Sequence, residues 1–217
     1  MNNSLYSLKK VQFRSDQFKL NINKFEIHRG AIYMISGGIS SGKSVFLKLF
    51  SNLVKYSGYI KYEGEDIGKI SNGALLKDVL YLSAKLPNSF KRADSYIESF
   101  SRRYDTIKKN SKDTKTLVRR LGASKLMDKR VIFLSPSQKR LISLIAAIAA
   151  DPKVLIIDDL DSHLTLNELK VLKSVLNRKA NHDGVTIISS CRYIYNFSKF
   201  ASVNITLDSG RIVKVRS

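Results

Sequence analysis

The sequence predicts an α/β fold with a mainly parallel core sheet, an antiparallel β-subdomain at its start and a helical insert near its middle. Three observations predict it. Short polar–apolar alternation fills the opening stretch, continuous apolar runs of strand length recur further on, and segments of helical period lie between those runs. A chain of 217 residues with 43% hydrophobic and 26% charged residues suits one domain spanning 1–217, whose core needs neither disulfide nor structural metal.

From Leu5 to Ile27 the apolar residues Val11, Phe13, Phe18, Leu20, Ile22, Phe25 and Ile27 stand between polar ones, the period-2 pattern of an antiparallel or edge sheet. Gly30 breaks that pattern, and Ala31 to Ser36 (AIYMIS) reads as a strand buried on both faces. A glycine-rich turn follows. Phe46, Leu49, Phe50 and Leu53 then recur at spacings of three and four, predicting a helix from Ser44 to Val54. Tyr56 to Ile67 resumes alternation, and Val79 to Ser83 is a short apolar strand. Lys85 to Arg130 is charged and helix-compatible; with the apolar helix Pro136 to Ala150 it makes a helical subdomain over about 85–150. A strand (Val154 to Ile157), a helix (Leu166 to Ala180) and a strand (Val185 to Ser189) come next. The chain ends with Val203 to Leu207 and Arg211 to Val215, joined into a hairpin by the turn Asp208-Ser209-Gly210.

Charge is the unusual property. Lys and Arg total 38 against 18 Asp and Glu, a net +20, and the stretch Lys85 to Arg130 alone carries +9. Such a surplus suits an anionic partner (nucleic acid, a phosphate-bearing ligand or an acidic membrane surface) or a well-solvated basic surface. The polar start MNNSLYSLKK lacks the apolar centre of a signal peptide, and the longest uncharged apolar run, Leu141 to Ala150, falls short of the roughly 20 residues of a membrane helix. The expectation is a cytoplasmic chain that meets membranes through partners. A single cysteine, Cys191, excludes an internal disulfide and a Cys-built zinc site.

GGISSGKS, Gly37 to Ser44, fits the phosphate-binding loop pattern G-x-x-x-x-G-K-[ST] and lies between a buried strand and a helix start, where that chemistry needs it. Backbone N–H groups wrap phosphates, the helix start adds unpaired donors, Lys43 bridges β- and γ-phosphate oxygens and the Ser44 hydroxyl ligates Mg²⁺. The expected nucleotide contacts are Gly37, Gly38, Ser40, Ser41, Gly42, Lys43, Ser44 and Val45. VLIIDD, Val154 to Asp159, is an apolar strand ending in two carboxylates. Ligands gather at that end of the strands in doubly wound sheets, so Asp158 can meet the metal held by Ser44, and Asp159 can stand beside an attacking water. The plain alternative is a strand ending in a polar turn.

LSPSQ, Leu134 to Gln138, stands directly before the apolar helix and its Ser135 lies 23 residues upstream of Asp158. At this point the chain resembles the ATP-binding-cassette (ABC) ATPases, P-loop NTPases whose signature LSGGQ occupies this place. The resemblance spans essentially the whole chain and includes Asp151-Pro152 before the second carboxylate motif and LDSGRIV near the end. It implies a second ABC domain, as homo- or heterodimer, with Ser135, Ser137 and Gln138 facing the ATP held by the opposing subunit. A local account coexists with it: Ser135 and Gln138 form a capping box, with Pro136 at the first helical position.

Several positions depart from the family pattern. Asp159 replaces the usual Glu base and is one methylene shorter, a misplacement on the order of an ångström. Cys191, 32 residues beyond Asp159, aligns with the switch histidine. A thiol, weakly donating and with a reference pKa near 8.5, replaces imidazole poorly. Ala84 stands where the Q-loop glutamine is expected. The adenine-stacking position falls near Ser15, with Phe13 and Phe18 as alternatives that also read as core. His182 precedes a strand that spans roughly 16 Å, at the wrong end of the sheet; His163 reads as a surface residue or as a contact to the opposite nucleotide site.

The resemblance therefore implies an ATP-binding subunit of an ABC transporter or transporter-like complex, an ATP hydrolase with Mg²⁺ and slow or partner-dependent turnover. Asp159 and Lys43 are its catalytic candidates, Ser44 and Asp158 its metal ligands. Its partners would be a second cassette and a permease-like integral membrane subunit, with anionic lipid contact through the basic insert and a peripheral position on the inner face of the membrane. The alternative is a regulatory or scaffold ABC protein of a cell-envelope or cell-division complex that binds ATP with little hydrolysis. A nucleic-acid-associated reading ranks below both, because such relatives usually carry a coiled-coil insertion or paired cassettes.

Overall fold

The computed structural model describes residues 4–104, 107–197 and 199–217, with backbone alone for 107–111. The basic-insert residues Lys108 and Lys109 and the first three residues of the polar start thus lie outside the described side chains.

The opening alternation becomes β1 (Ser4–Arg14) and β2 (Lys19–His28), paired antiparallel with Leu8 opposite Phe25 and Val11 opposite Ile22. The alternation is not strict, and irregularities explain why. The β1–β2 register shifts between Ser4 and Tyr6, which lets Leu5 and Tyr6 both be buried; the register of β1 with the strand Ser57–Tyr62 shifts between Lys9 and Gln12, where Lys10 has φ 50°. β4 (Ser57–Tyr62) and β5 (Glu65–Asp66) complete a four-stranded sheet in the order β2-β1-β4-β5.

The second sheet is six-stranded, β10-β9-β3-β8-β7-β6. Its members are β3 (Ile32–Ser36), β6 (Val79–Leu82), β7 (Val154–Ile157), β8 (Thr186–Ser190), β9 (Val203–Asp208) and β10 (Arg211–Arg216). All neighbours pair parallel except the β9–β10 hairpin. Both faces are covered, which is why the central strands read as continuous apolar runs. Met34, Leu155 and Ile157 face one buried cluster with the long helices; Tyr33, Ile35, Val154 and Ile156 face the other, shared with the antiparallel sheet.

The helices depart from expectation in three places. α1 (Lys43–Leu49) ends five residues before Val54, because Asn52 takes a left-handed conformation (φ 52°) and the Leu53 N–H reaches back to the Lys48 carbonyl at 3.0 Å, a Schellman-type closure. Leu53, expected in the core, is 53% exposed. α2 (Asn72–Asp78), started by the Ser71 side chain accepting from Ala74 N–H, lies where no helix is predicted; it contains Gly73 and buries only Leu75, so it carries almost no apolar period. α6 (Leu166–Asp183) runs past Ala180 to Gly184, whose φ of 71° closes it. Between β6 and β7 stand α3 (Ala93–Arg103), α4 (Ile107–Arg120) and α5 (Pro136–Ala149), with Ile97, Leu117, Val118 and Leu121 packed into the α5 cluster.

Candidate functional site

The glycine-rich turn joins β3 to α1 across the C-terminal end of the parallel sheet. Two of its glycines are obligatory in this geometry. A Cβ on Gly37 would overlap the Leu207 carbonyl oxygen, and one on Gly42, which has φ 100°, would overlap the Phe18 ring. The Lys43 ammonium donates to the carbonyls of Gly37 (2.8 Å) and Gly38 (2.9 Å), folding over its own loop. Ser41 Oγ is buried with no hydrogen-bond partner among the described residues. At seven residues α1 is short, so loop amides and the Lys43 charge, more than a helix dipole, make this an anion cradle.

Gly37 to Val45 line an open cleft of about 1470 Å³, joined by Phe13, Ser15 and Phe18 on one side and by Asp159 and Arg192 on another. That exceeds the roughly 300–1,000 Å³ of an enclosed small-ligand pocket, leaving the cradle open on one side. Phe13 and Phe18 lie 6.4 Å apart and are half-buried; Phe18 also covers Gly42, so its ring is part of the cleft floor.

β7 delivers the two carboxylates. Asp158 is only 4% exposed; its Oδ1 accepts from Ser190 Oγ (2.7 Å) and its Oδ2 from the Tyr81 hydroxyl (3.2 Å). Burial, reinforced by the Asp158 charge and hydrogen bond, pushes the Tyr81 phenol well above its ordinary pKa, so it stays a donor. Ser190 Oγ also accepts the Asp159 N–H (2.8 Å), tying β7 to β8 just where the motif ends. Asp159 adopts φ 49° and stands in the P-loop cleft, whereas Asp158 lies behind its lining.

Arg140 is a site element the sequence reading missed. Fully buried on α5, it donates to the carbonyls of Ser83 (3.0 Å), Asp158 (2.7 Å) and Asp159 (2.9 Å). It thereby fastens the end of β6, next to Ala84, to the end of β7. Burial lowers its pKa, opposed by the charges of Asp159, Asp158 and Asp161. Its Nε has no partner among the described residues. A partial signal existed in the sequence: from Leu141 to Ala149 this helix carries no charge and is buried, and Arg140 directly adjoins that stretch, whereas Lys139 before it keeps partial exposure.

Arg192 was also missed. Its Nε and one terminal nitrogen each donate to Asp159 Oδ2 at 3.3 Å, and the N–H groups of Arg192 and Tyr193 donate to the Asp161 carboxylate. Cys191 beside it is fully buried, its thiol directed at the Ile35 carbonyl (4.0 Å). Burial, with the Asp161 and Asp159 charges against the Lys43 charge, pushes that thiol up to about 12, so it is neutral. His163 is exposed with φ 61°, and His182 lies in the last turn of α6.

The LSPSQ segment starts α5 with both bonds of a capping box: Ser135 Oγ accepts the Gln138 N–H (3.3 Å), Gln138 Oε1 accepts the Ser135 N–H (3.1 Å), and Pro136 takes the first helical position. Ser135 is exposed, and neither it, Ser137 nor Gln138 lines the P-loop cleft. Within one chain, then, the structure gathers Lys43, Ser44 and Asp159 around the cleft with Asp158 behind it, and leaves LSPSQ apart from them.

Residues 20–162 match the family model described as ABC transporter. A phosphonates import ATP-binding protein of Oceanobacillus iheyensis is 26% identical over 210 residues, covering 89% of this chain and 81% of that protein. A methionine import ATP-binding protein of Streptococcus pyogenes is 28% identical over 207 residues, covering 87% and 58%. The match spans only 31% of the length of a Clostridium tetani relative and 37% of that of a Bacillus thuringiensis one. Among solved structures, the ATP-binding subunit of an ABC transporter superposes with TM-score 0.89 at 16% identity over 99% of this chain and 90% of that one. A dimeric ATP-binding cassette in a post-hydrolysis state with ADP and Pi gives 0.81, also at 16%, over 98% of each. At that identity they establish the fold, and the family match over most of the chain establishes the rest: this chain belongs to the ABC transporter family and has the fold of its ATP-binding cassettes.

Proposed function

We propose that the chain is one ABC domain over 1–217 that serves as the ATP-binding subunit of a transporter or transporter-like membrane complex. The observation that carries this is the P-loop: obligatory glycines, an ammonium held by loop carbonyls and a buried Ser41 hydroxyl without a partner among the described residues, all opening on a cleft that the Asp159 carboxylate also reaches. In this reading the amides of Gly38 to Val45 and the Lys43 ammonium bind the triphosphate of ATP, and Asp159 orients the attacking water. The donors Ser44 and Asp158 fit magnesium, which takes few protein oxygens and keeps several waters. Bound there, it would offset phosphate charge during transfer. Ser190 and Tyr81 hold Asp158 in place for that duty.

Ser135, Ser137 and Gln138 would complete the site from a second cassette. The exposure of Ser135 and the absence of all three from the lining of this chain's own cleft support that reading, as does the dimeric state of the structurally similar cassette. A permease-like subunit would receive the motion, which puts the chain peripherally at the cytoplasmic face of a membrane. Slow or partner-dependent turnover follows from the shorter Asp159 and the inward, neutral Cys191 thiol. Those two positions also favour the second reading, a regulatory ABC protein that binds ATP and barely hydrolyses it. ATPase assays with and without the co-purified membrane partner separate them: turnover that appears only with the partner supports the transporter, and binding without turnover in either state supports the regulator. Lys43→Ala should abolish ATP-dependent dimerisation; full activity in that variant would sink both readings.

A further inference from the structure

Cys191 occupies the place of the switch residue but faces the Ile35 carbonyl, so no side chain at that position reaches the cleft. The next residue does. The backbone of Arg192 is fixed by the Asp161 carboxylate, at 3.0 and 3.3 Å, and its guanidinium lines the P-loop cleft against Asp159. Both bonds to Asp159 Oδ2 are 3.3 Å, long for a charge-assisted pair, and the arginine side chain is 58% exposed. Such a pair is weakly held and screened by water. A terminal phosphate in the same cleft is a better partner, because a planar guanidinium matches two phosphate oxygens at once, whereas here both nitrogens share one carboxylate oxygen.

Resting on the ATP reading above, we propose that Arg192 is a γ-phosphate-contacting residue that exchanges partners with nucleotide state. Without a γ-phosphate it clamps Asp159. With ATP the guanidinium moves to the γ-phosphate and leaves the Asp159 carboxylate free to orient water. ADP presents no third phosphate, so the clamp persists, and loss of Pi after hydrolysis restores it. The chain thereby senses the γ-phosphate with a cation one residue beyond the position that its thiol vacates.

The test is equilibrium titration of the full chain with fluorescent ATP and ADP analogues at fixed magnesium, which needs no turnover. Arg192→Ala should weaken ATP binding about tenfold and leave ADP binding within about twofold, and Arg192→Lys should recover only part of the loss because an ammonium is a point charge. Arg192 is exposed, so these variants should fold, and circular dichroism checks it. A wild-type chain that binds both nucleotides, with an ATP-to-ADP preference unmoved by Arg192→Ala, overturns this proposal alone. A wild-type chain that binds neither nucleotide overturns the ATP reading with it.

Discussion

Asp159 carries the shortest carboxylate among the side chains, and its backbone is set by φ 49° and an N–H bound to Ser190 Oγ, while Arg192 holds its outer oxygen only weakly. Lengthening it is therefore a clean probe of reach. Asp159→Glu should raise steady-state phosphate release about tenfold, and Asp159→Asn should reduce it below wild type while ATP still binds. Cys191 makes the opposite kind of prediction. With its thiol pushed up to about 12 and buried, almost none is thiolate at pH 8, so iodoacetamide should label the native chain far more slowly than the urea-unfolded one. The sign for stability follows: the unfolded thiol ionises near pH 8.5 and the folded one does not, so stability drains as pH rises from about 8.5 towards 12. The positions of Lys43, Ser44, Asp158 and Asp159 at the C-terminal end of the parallel sheet are legible in the sequence because each sits at a fixed offset from a strand end. Those of Arg140, Tyr81 and Arg192 are not, since their partners lie 18 to 77 residues away and are chosen by tertiary placement.

At the scale of elements, α5 joins stability to chemistry. Its start is capped reciprocally by Ser135 and Gln138, ten of its fourteen residues are buried, and Arg140 in its second turn fastens the ends of β6 and β7. In the isolated chain Ser135→Ala removes the cap and should cost about 1 kcal/mol in urea denaturation. Arg140→Met keeps the length but strands three carbonyls, so a loss of at least about 2 kcal/mol is expected, with reduced nucleotide binding as Asp158 and Asp159 lose their support. Equal stability of Arg140→Met and wild type would refute the fastening role. Elements with a strong period were readable in advance; β3, β7, α5 and the terminal hairpin fall where apolar runs and turn residues put them. The failures share a cause. α1 ends before its spacing predicts because Leu53 keeps the helical interval while Asn52 turns left-handed, and α2 has no detectable period because a seven-residue helix with one buried residue carries none.

For the molecule as a whole, the question is where a net charge of +20 acts. ATP engages only Lys43 and Arg192 in the proposed site, so most of the surplus is free for another anion. Arg102 and Arg103 end α3, and Arg119 and Arg120 end α4; all four are exposed. Cations are favoured in the last turn of a helix, so part of their presence is local stabilisation. That term depends on the helix alone, whereas attraction to an acidic surface adds with each exposed cation that reaches it, at about 1 kcal/mol per residue near an anionic membrane, and falls steeply with salt; Arg102 contributes least, being paired with Glu98 at 3.1 Å. Replacing all four with Gln should therefore lower binding to phosphatidylserine-containing vesicles by at least about tenfold at low salt, leave binding to neutral vesicles unchanged, and leave ATP affinity within about twofold. If vesicle binding is unaffected while the melting temperature drops, the arginines serve only their own helices. Equal losses at low and high salt would likewise exclude an electrostatic membrane contact, because screening over roughly 10 Å at 0.1 M must weaken any attraction of that kind.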